Sequence, residues 1–183
     1  VVVCDAVTGM ADRFVSEVGG RAANSPADAA RDADIVITSL PADRELFAVA
    51  DEIASSIGAS RVWVDHSTTS AQAARAVASR VADAGGRFLD APVSGGVDGA
   101  RKGTLTVMAG GDQRAFDDVE SVVASYAARI TLMGESGAGQ ITKMTNQICV
   151  VGLCQALAEG LDFAESSGLD VTKVIHVMLQ GSS

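Results

Sequence analysis

The sequence predicts a doubly wound α/β domain with a mostly parallel sheet, followed by a long helix and the start of an all-α domain. Two observations carry this. Over residues 1–134, short runs rich in Val and Ile alternate with amphipathic stretches of helical spacing, the pattern of strands joined by crossover helices. From Ala138 the spacing becomes purely helical, at Ile141, Met144, Ile148, Val151, Leu157 and Leu161. It runs to Ser167, too long for one more crossover.

The elements follow in order. Residues 1–5 (VVVCD) read as a strand already inside a sheet, and 8–18 as a helix with Met10, Phe14 and Val18 on one face, closed by Gly19 and Gly20. Residues 34–40 (DIVITSL) form a buried strand that Pro41 ends. A helix through Leu46, Phe47, Val49 and Ile53 stops at Gly58, and 61–65 (RVWVD) is the next strand. Thr69 and Gln72 stand as a capping box for a helix running to Gly85, with Ala73, Ala76, Val77 and Val81 inward, and Ser70 is equally placed to cap it. Short strands follow at 87–90 and 104–109. Asp112 caps a helix with Phe116, Val119, Val122, Val123 and Tyr126 on one side, and 129–133 is the last strand. Gly168 stops the long helix and Asp170 caps the next. The domain boundary is placed near Gly134, dividing the chain into 1–134 and 135–183. The chain opens directly on a β-branched run and closes just after a short helical pattern, so it is expected to be a piece of a longer protein.

Composition narrows the function classes. A chain of 183 residues, 48% apolar, can bury one sizeable core. The net charge of −9, with 14 scattered Lys and Arg, argues against binding nucleic acid or an anionic membrane, since both need a cationic face. Cys4, Cys149 and Cys154 are odd in number and sit in apolar runs, so they read as reduced core cysteines of a cytoplasmic protein. No stretch approaches the roughly 20 apolar residues of a membrane span, no signal peptide is evident, and 148–153 reads as a helix core. His66 and His176 lack partners at ligand spacing, so no metal site is expected.

Candidate chemistry lies in residues that follow strands, where open α/β sheets bind ligands. Lys143 has Asn146 and Gln147 three and four positions on, so a helix projects a cation and two amides from one face. Gly137 and Gly139, just upstream, let backbone or a ligand approach closely. The loop 90–103 (DAPVSGGVDGARKG) offers the Ser94 hydroxyl and the backbone amides of Gly95 and Gly96, a nest suited to a carboxylate. Asp5 ends the first strand, where a dinucleotide-binding sheet places a carboxylate against the adenine ribose hydroxyls; with no arginine after it, Asp5 favours NAD over NADP. Thr68 follows the Trp63 strand and is a candidate cofactor contact. Taken singly, each has a plainer reading: a solvated lysine, a hairpin, an acidic turn, a helix cap. His66 reads as a solvated or supporting residue.

Together, DAPVSGGVDGA, the strand ending SLP, DHSTTS and GAGQITKMTNQ resemble the β-hydroxyacid dehydrogenases, nearest to their 3-hydroxyisobutyrate dehydrogenase and tartronate semialdehyde reductase branches. The resemblance covers essentially the whole chain. It implies a Rossmann-type domain joined by a long interdomain helix to an all-helical domain that helps form a homo-oligomer. It implies that Leu40, Pro41 and Thr68 touch the cofactor, that Ser94, Gly95 and Gly96 bind a small carboxylate substrate, and that Lys143 is catalytic. Asn146 or Gln147 would orient the substrate hydroxyl. The implied reaction is hydride transfer between NAD and the hydroxyl-bearing carbon of a small 3-hydroxy acid. Reduction of tartronate or succinic semialdehyde, or a non-catalytic protein keeping the fold for assembly, are the alternatives. The family's glycine-rich fingerprint and its later Lys-Asp segment are absent here, so this piece alone is not expected to turn over substrate.

Overall fold

Val62, Val64 and Leu89 pack on one side of a sheet while Trp63 and Phe88 pack on the other, because successive strand residues point to opposite faces. The computed structural model describes residues 1–58 and 60–181, and the chain forms two compact units, Val1–Lys143 and Met144–Ser183.

In the first unit, β1 (Val2–Val3) and β2 (Arg21–Ala22) pair in parallel as a small sheet of their own, linked by α1 (Met10–Val18). The short helix α2 (Pro26–Ala30) follows, capped by the Ser25 hydroxyl with Pro26 at its first position. Next come β3 (Ile35–Thr38), α3 (Asp43–Ile53), β4 (Val62–Asp65), α4 (Ala71–Asp83), β5 (Arg87–Asp90), β6 (Val93–Ser94), α5 (Gly96–Lys102), β7 (Leu105–Gly111), α6 (Gln113–Val123) and β8 (Ala127–Gly134). Strands β3, β4 and β5 are parallel neighbours; β7 runs antiparallel to β5 and β6 and parallel to β8. The short strands β2 and β6 and the helices α2 and α5 are missing from the sequence reading, as is the reversal at β7.

Helices cover both faces of the large sheet. Leu46, Ala50 and Ile53 of α3 and Ala73, Ala74, Val77 and Val81 of α4 pack with Trp63 and Phe88. Ala115, Phe116, Val119 and Val123 of α6 pack with Val62, Val64, Leu89 and Val107. The Trp63 and Phe88 rings meet edge to face, with centroids 5.1 Å apart. Val122 was expected inward but is exposed, since each helical step turns the side chain by about 100° and Val123 takes the core-facing position.

Helix α7 (Ala138–Ser166) contributes residues through Lys143 to the first unit and the rest to the second, where α8 (Val171–Gln180) follows behind the Asp170 cap. Two sequence expectations are corrected here. Cys149 and Cys154 are exposed and Cys4 is half-buried, so none is a core cysteine. Ile148, Val151 and Leu153 are also exposed, because periodicity marks an apolar face without supplying the layer that covers it. By length and composition alone α7 contains an 18-residue stretch with a mean hydropathy of 1.3, apolar enough to cross a membrane.

Candidate active site

The ends of β3, β4 and β5 are joined by buried polar side chains. Asp65, the last residue of β4, is fully buried, and its Oδ1 accepts from Thr38 Oγ1 at 2.7 Å and from Ser67 Oγ at 2.5 Å. Trp63 Nε1 donates to Thr38 Oγ1 at 2.8 Å, and the Leu40 amide donates to Ser67 Oγ at 2.7 Å. The turn after β3 is thereby tied to the turn after β4. Burial pushes the Asp65 carboxyl above its ordinary range despite these bonds.

Asp90 sits beside Asp65 in the parallel register and receives the start of α7. Its Oδ1 accepts from the Gly137 amide at 2.6 Å and its Oδ2 from the Gln140 amide at 3.0 Å, so a strand-borne carboxylate supplies acceptors for the free N–H groups of the helix start. Burial pushes Asp90 up to about 6, opposed by those N–H bonds. The Gln140 side chain, fully buried, donates through Nε2 to the Ser67 carbonyl at 2.8 Å and accepts at Oε1 from the Thr69 amide at 3.1 Å. This moves the α4 cap. Ser70, not Thr69, caps the helix through its bond from the Ala73 amide, while Asp43 holds Ser70 at 2.8 Å and 2.6 Å.

Gly139 serves this seam. A Cβ there would lie 2.6 Å from the Asp90 carbonyl oxygen and would also meet that of Met108. The close approach expected of the glycines is thus made, at Gly139, by sheet backbone.

One turn beyond Gln140, Lys143 lines a cleft of about 530 Å³ together with Ser94, Gly95, Gly96, His66 and Tyr126; Ile37, Val93 and Leu105 form its apolar lining. The segment expected to be one loop is strand and helix: Ser94 pairs with Thr106 in the sheet, and Gly95 and Gly96, with φ of 129° and 60°, turn the chain into α5. Such positive φ values favour glycine. The strand pairing delivers the Ser94 side chain to the same cleft as Lys143.

His66 carries more structure than its sequence context indicated. Its Nδ1 lies 2.6 Å from the Ala91 carbonyl oxygen and its Nε2 lies 2.7 Å from the Tyr126 hydroxyl. A carbonyl only accepts, so Nδ1 bears the proton. Burial lowers the His66 pKa, keeping the ring neutral, so Nε2 accepts and the Tyr126 hydroxyl donates. Burial likewise pushes Tyr126 up to about 12.

The remaining candidates lie as follows. Leu40 is half-buried and Pro41 and Thr68 are exposed, all just after strands, but the Leu40 amide is already bonded to Ser67. Asp5 is exposed after β1, where its Oδ1 accepts from the Val7 amide at 2.7 Å. Asn146 and Gln147 belong to the second unit, where Asn146 Nδ2 donates to Gln147 Oε1 at 3.1 Å. Among the described residues there is no group of three or more His, Cys, Asp or Glu placed to hold a metal. Gln140, Asp90 and Tyr126 escaped the sequence reading. Helical spacing placed Gln140 one turn before Lys143, but nothing local marked it as buried.

The candidate cofactor contacts are the turns after β3 and β4, where Pro41 and Thr68 are exposed, and the exposed Asp5 carboxylate. Their chemistry, exposed backbone turns after parallel strands and a carboxylate acceptor, fits the needs of a dinucleotide.

Residues 1–134 match the family described as the NAD binding domain of 6-phosphogluconate dehydrogenase. Residues 137–183, which include α7, match the family described as NAD-binding of NADP-dependent 3-hydroxyisobutyrate dehydrogenase. An uncharacterized oxidoreductase of Shewanella frigidimarina is 46% identical over 186 residues, covering 100% of this chain and 64% of the relative. The 3-hydroxyisobutyrate dehydrogenase of Pseudomonas aeruginosa is 35% identical over 169 residues, covering 91% of this chain and 57% of the relative. Among solved structures, Mycobacterium tuberculosis 3-hydroxyisobutyrate dehydrogenase with L-serine superposes with a TM-score of 0.89 at 31% identity, covering 98% of this chain and 61% of that one. The chain thus spans about six tenths of the length of these relatives. With both segments matched in order on a Rossmann-type sheet and its following helix, the chain belongs to the β-hydroxyacid dehydrogenase family of NAD(P)-binding oxidoreductases.

Proposed function

We propose that this chain is part of an enzyme that transfers a hydride between NAD and the hydroxyl-bearing carbon of a small 3-hydroxy acid, as a homo-oligomer in the cytoplasm. The observation that carries the reading is the meeting of Lys143 with Ser94, Gly95 and Gly96 in one cleft. The named activity of the Pseudomonas relative supports it.

In this reading Lys143 moves the proton. During reduction its ammonium donates to the oxygen that becomes the hydroxyl, and during oxidation its neutral amine takes the hydroxyl proton. The Ser94 hydroxyl and the amides of Gly95 and Gly96 hold the carboxylate, fixing the reacting carbon relative to Lys143. When bound, a nicotinamide would supply or receive the hydride. Leu40, Pro41 and Thr68 would help hold the cofactor, with Leu40 offering its side chain and carbonyl because its amide is bonded to Ser67. Asp5 accepts from the ribose hydroxyls and repels a 2′-phosphate, so NAD is preferred over NADP.

The test uses the full-length protein from its natural gene. Initial rates with NAD and NADP are measured on 3-hydroxyisobutyrate, glycerate, 4-hydroxybutyrate and 6-phosphogluconate. An NAD-dependent rate with either of the first two is expected; no rate on any acid, with NAD still bound, overturns the reading in favour of a non-catalytic role.

A further inference from the structure

We propose that the Tyr126 hydroxyl, its proton held by His66, is a fixed hydrogen-bond acceptor in the wall of the Lys143 cleft. There it selects 3-hydroxy acids carrying a donor group on the carbon beside the carboxylate, a hydroxyl or an ammonium, over those carrying a methyl. The inference rests on the hydroxy-acid reading of the cleft and names the substrate class that reading leaves open.

The hydrogen-bond inventory leads to it. Both nitrogens of His66 are engaged, Nδ1 with the Ala91 carbonyl and Nε2 with Tyr126. The ring is therefore fixed at both ends, and the phenol proton points at His66 rather than into the cleft. A phenol oxygen that donates its proton still accepts. That oxygen makes no other hydrogen bond among the described residues, and Tyr126 is only half-buried. Of the polar groups lining the cleft, the Lys143 ammonium and the glycine amides only donate and the Ser39 and Ser94 hydroxyls can do either, whereas the Tyr126 oxygen, its proton committed to His66, only accepts.

The sheet register gives the scale. Ser94 pairs with Thr106 of β7, and Ala127, next to Tyr126, pairs with Leu105 on the other side of the same strand. Ser94 and Tyr126 thus lie about two strand spacings apart, roughly 10 Å between backbones, and the tyrosine side chain extends into the cleft lining. With a carboxylate held at Ser94, a substituent on the neighbouring carbon that reaches across the cleft would meet Tyr126. A hydroxyl or ammonium on that carbon satisfies the phenol oxygen, whereas a methyl leaves it unpaired, and sites built to bond a polar group discriminate strongly against analogues lacking it.

The experiment measures kcat/KM and direct calorimetric binding for glycerate and 3-hydroxyisobutyrate in the full-length protein, in its Tyr126→Phe variant and in its His66→Leu variant. The wild type is expected to favour glycerate. Tyr126→Phe is expected to lower kcat/KM for glycerate by about 10- to 100-fold and to change that for 3-hydroxyisobutyrate by less than about threefold. His66→Leu, which frees the phenol proton to enter the cleft, is expected to shrink the same ratio. An unchanged ratio in either variant, or an equal loss on both acids, overturns the assignment while leaving the hydroxy-acid reading intact. If neither acid binds or reacts with the wild type, that reading falls and the assignment falls with it.

Discussion

Gln140 Nε2 donates to the Ser67 carbonyl at 2.8 Å, across a sequence separation of 73 residues and in a fully buried setting. This bond fixes the first turn of α7 against the turn that carries Ser67, Thr68 and Thr69. The candidate proton-transfer residue and the candidate cofactor turn are therefore held by one amide. The same side chain accepts from the Thr69 amide through Oε1, and the Gln140 backbone N–H donates to Asp90 Oδ2, completing the seam.

Replacing Gln140 by Leu keeps much of the volume and removes the amide. The Ser67 carbonyl and the Thr69 amide would then be buried without partners, at about 1–3 kcal/mol each. A loss of about 2–4 kcal/mol in denaturant unfolding is expected for the full-length protein. A loss below about 1 kcal/mol would show that the seam relaxes freely.

Asp90 predicts a pH dependence. Its carboxyl is raised from 3.8 to about 6 in the folded chain, so between those values the folded state binds the proton that the unfolded state has released. Its contribution is fully present below about pH 4 and is lost as pH rises through about 6. In thermal melts across that window, the wild type should gain on Asp90→Asn as pH falls; a constant difference between the two would refute the raised pKa.

Gly139→Ala should be poorly tolerated. The added methyl meets the carbonyl oxygens of Asp90 and Met108, both backbone, and overpacking of this kind costs about 1–3 kcal/mol. An alanine variant as stable as the wild type in the same unfolding assay would mean that α7 does not seat against β5 and β7 as described.

For the proposed chemistry, Lys143→Ala in the full-length protein is expected to lower kcat by at least about 100-fold, with NAD affinity within about threefold of the wild type. Ser94→Ala should act mainly on KM for the acid, raising it about tenfold, the effect of losing roughly 1.4 kcal/mol of hydrogen bonding. Steady-state rates and NAD titration together separate the two roles, and a Lys143→Ala enzyme with wild-type kcat would remove the lysine from the mechanism.

The sequence by itself determined where the main strands and helices lie. Strands β3, β4, β5 and β7, the long α7 and the caps at Asp112 and Asp170 were all legible, because periodicity and capping act over a few residues. Ser94, Gly95, Gly96 and Lys143 were legible as candidates because glycine pairs and a lysine beside amides stand out locally. Tertiary structure alone decided the rest. The antiparallel course of β7, the strand and helix within 90–103, and the cap at Ser70 depend on partners far along the chain. The same holds for Gln140 against the turn after β4 and for His66 against Tyr126, whose rings are separated by 60 residues in sequence yet share one hydrogen bond. A buried polar side chain is recognised by what satisfies it, and here the satisfying group is supplied by another element of the fold.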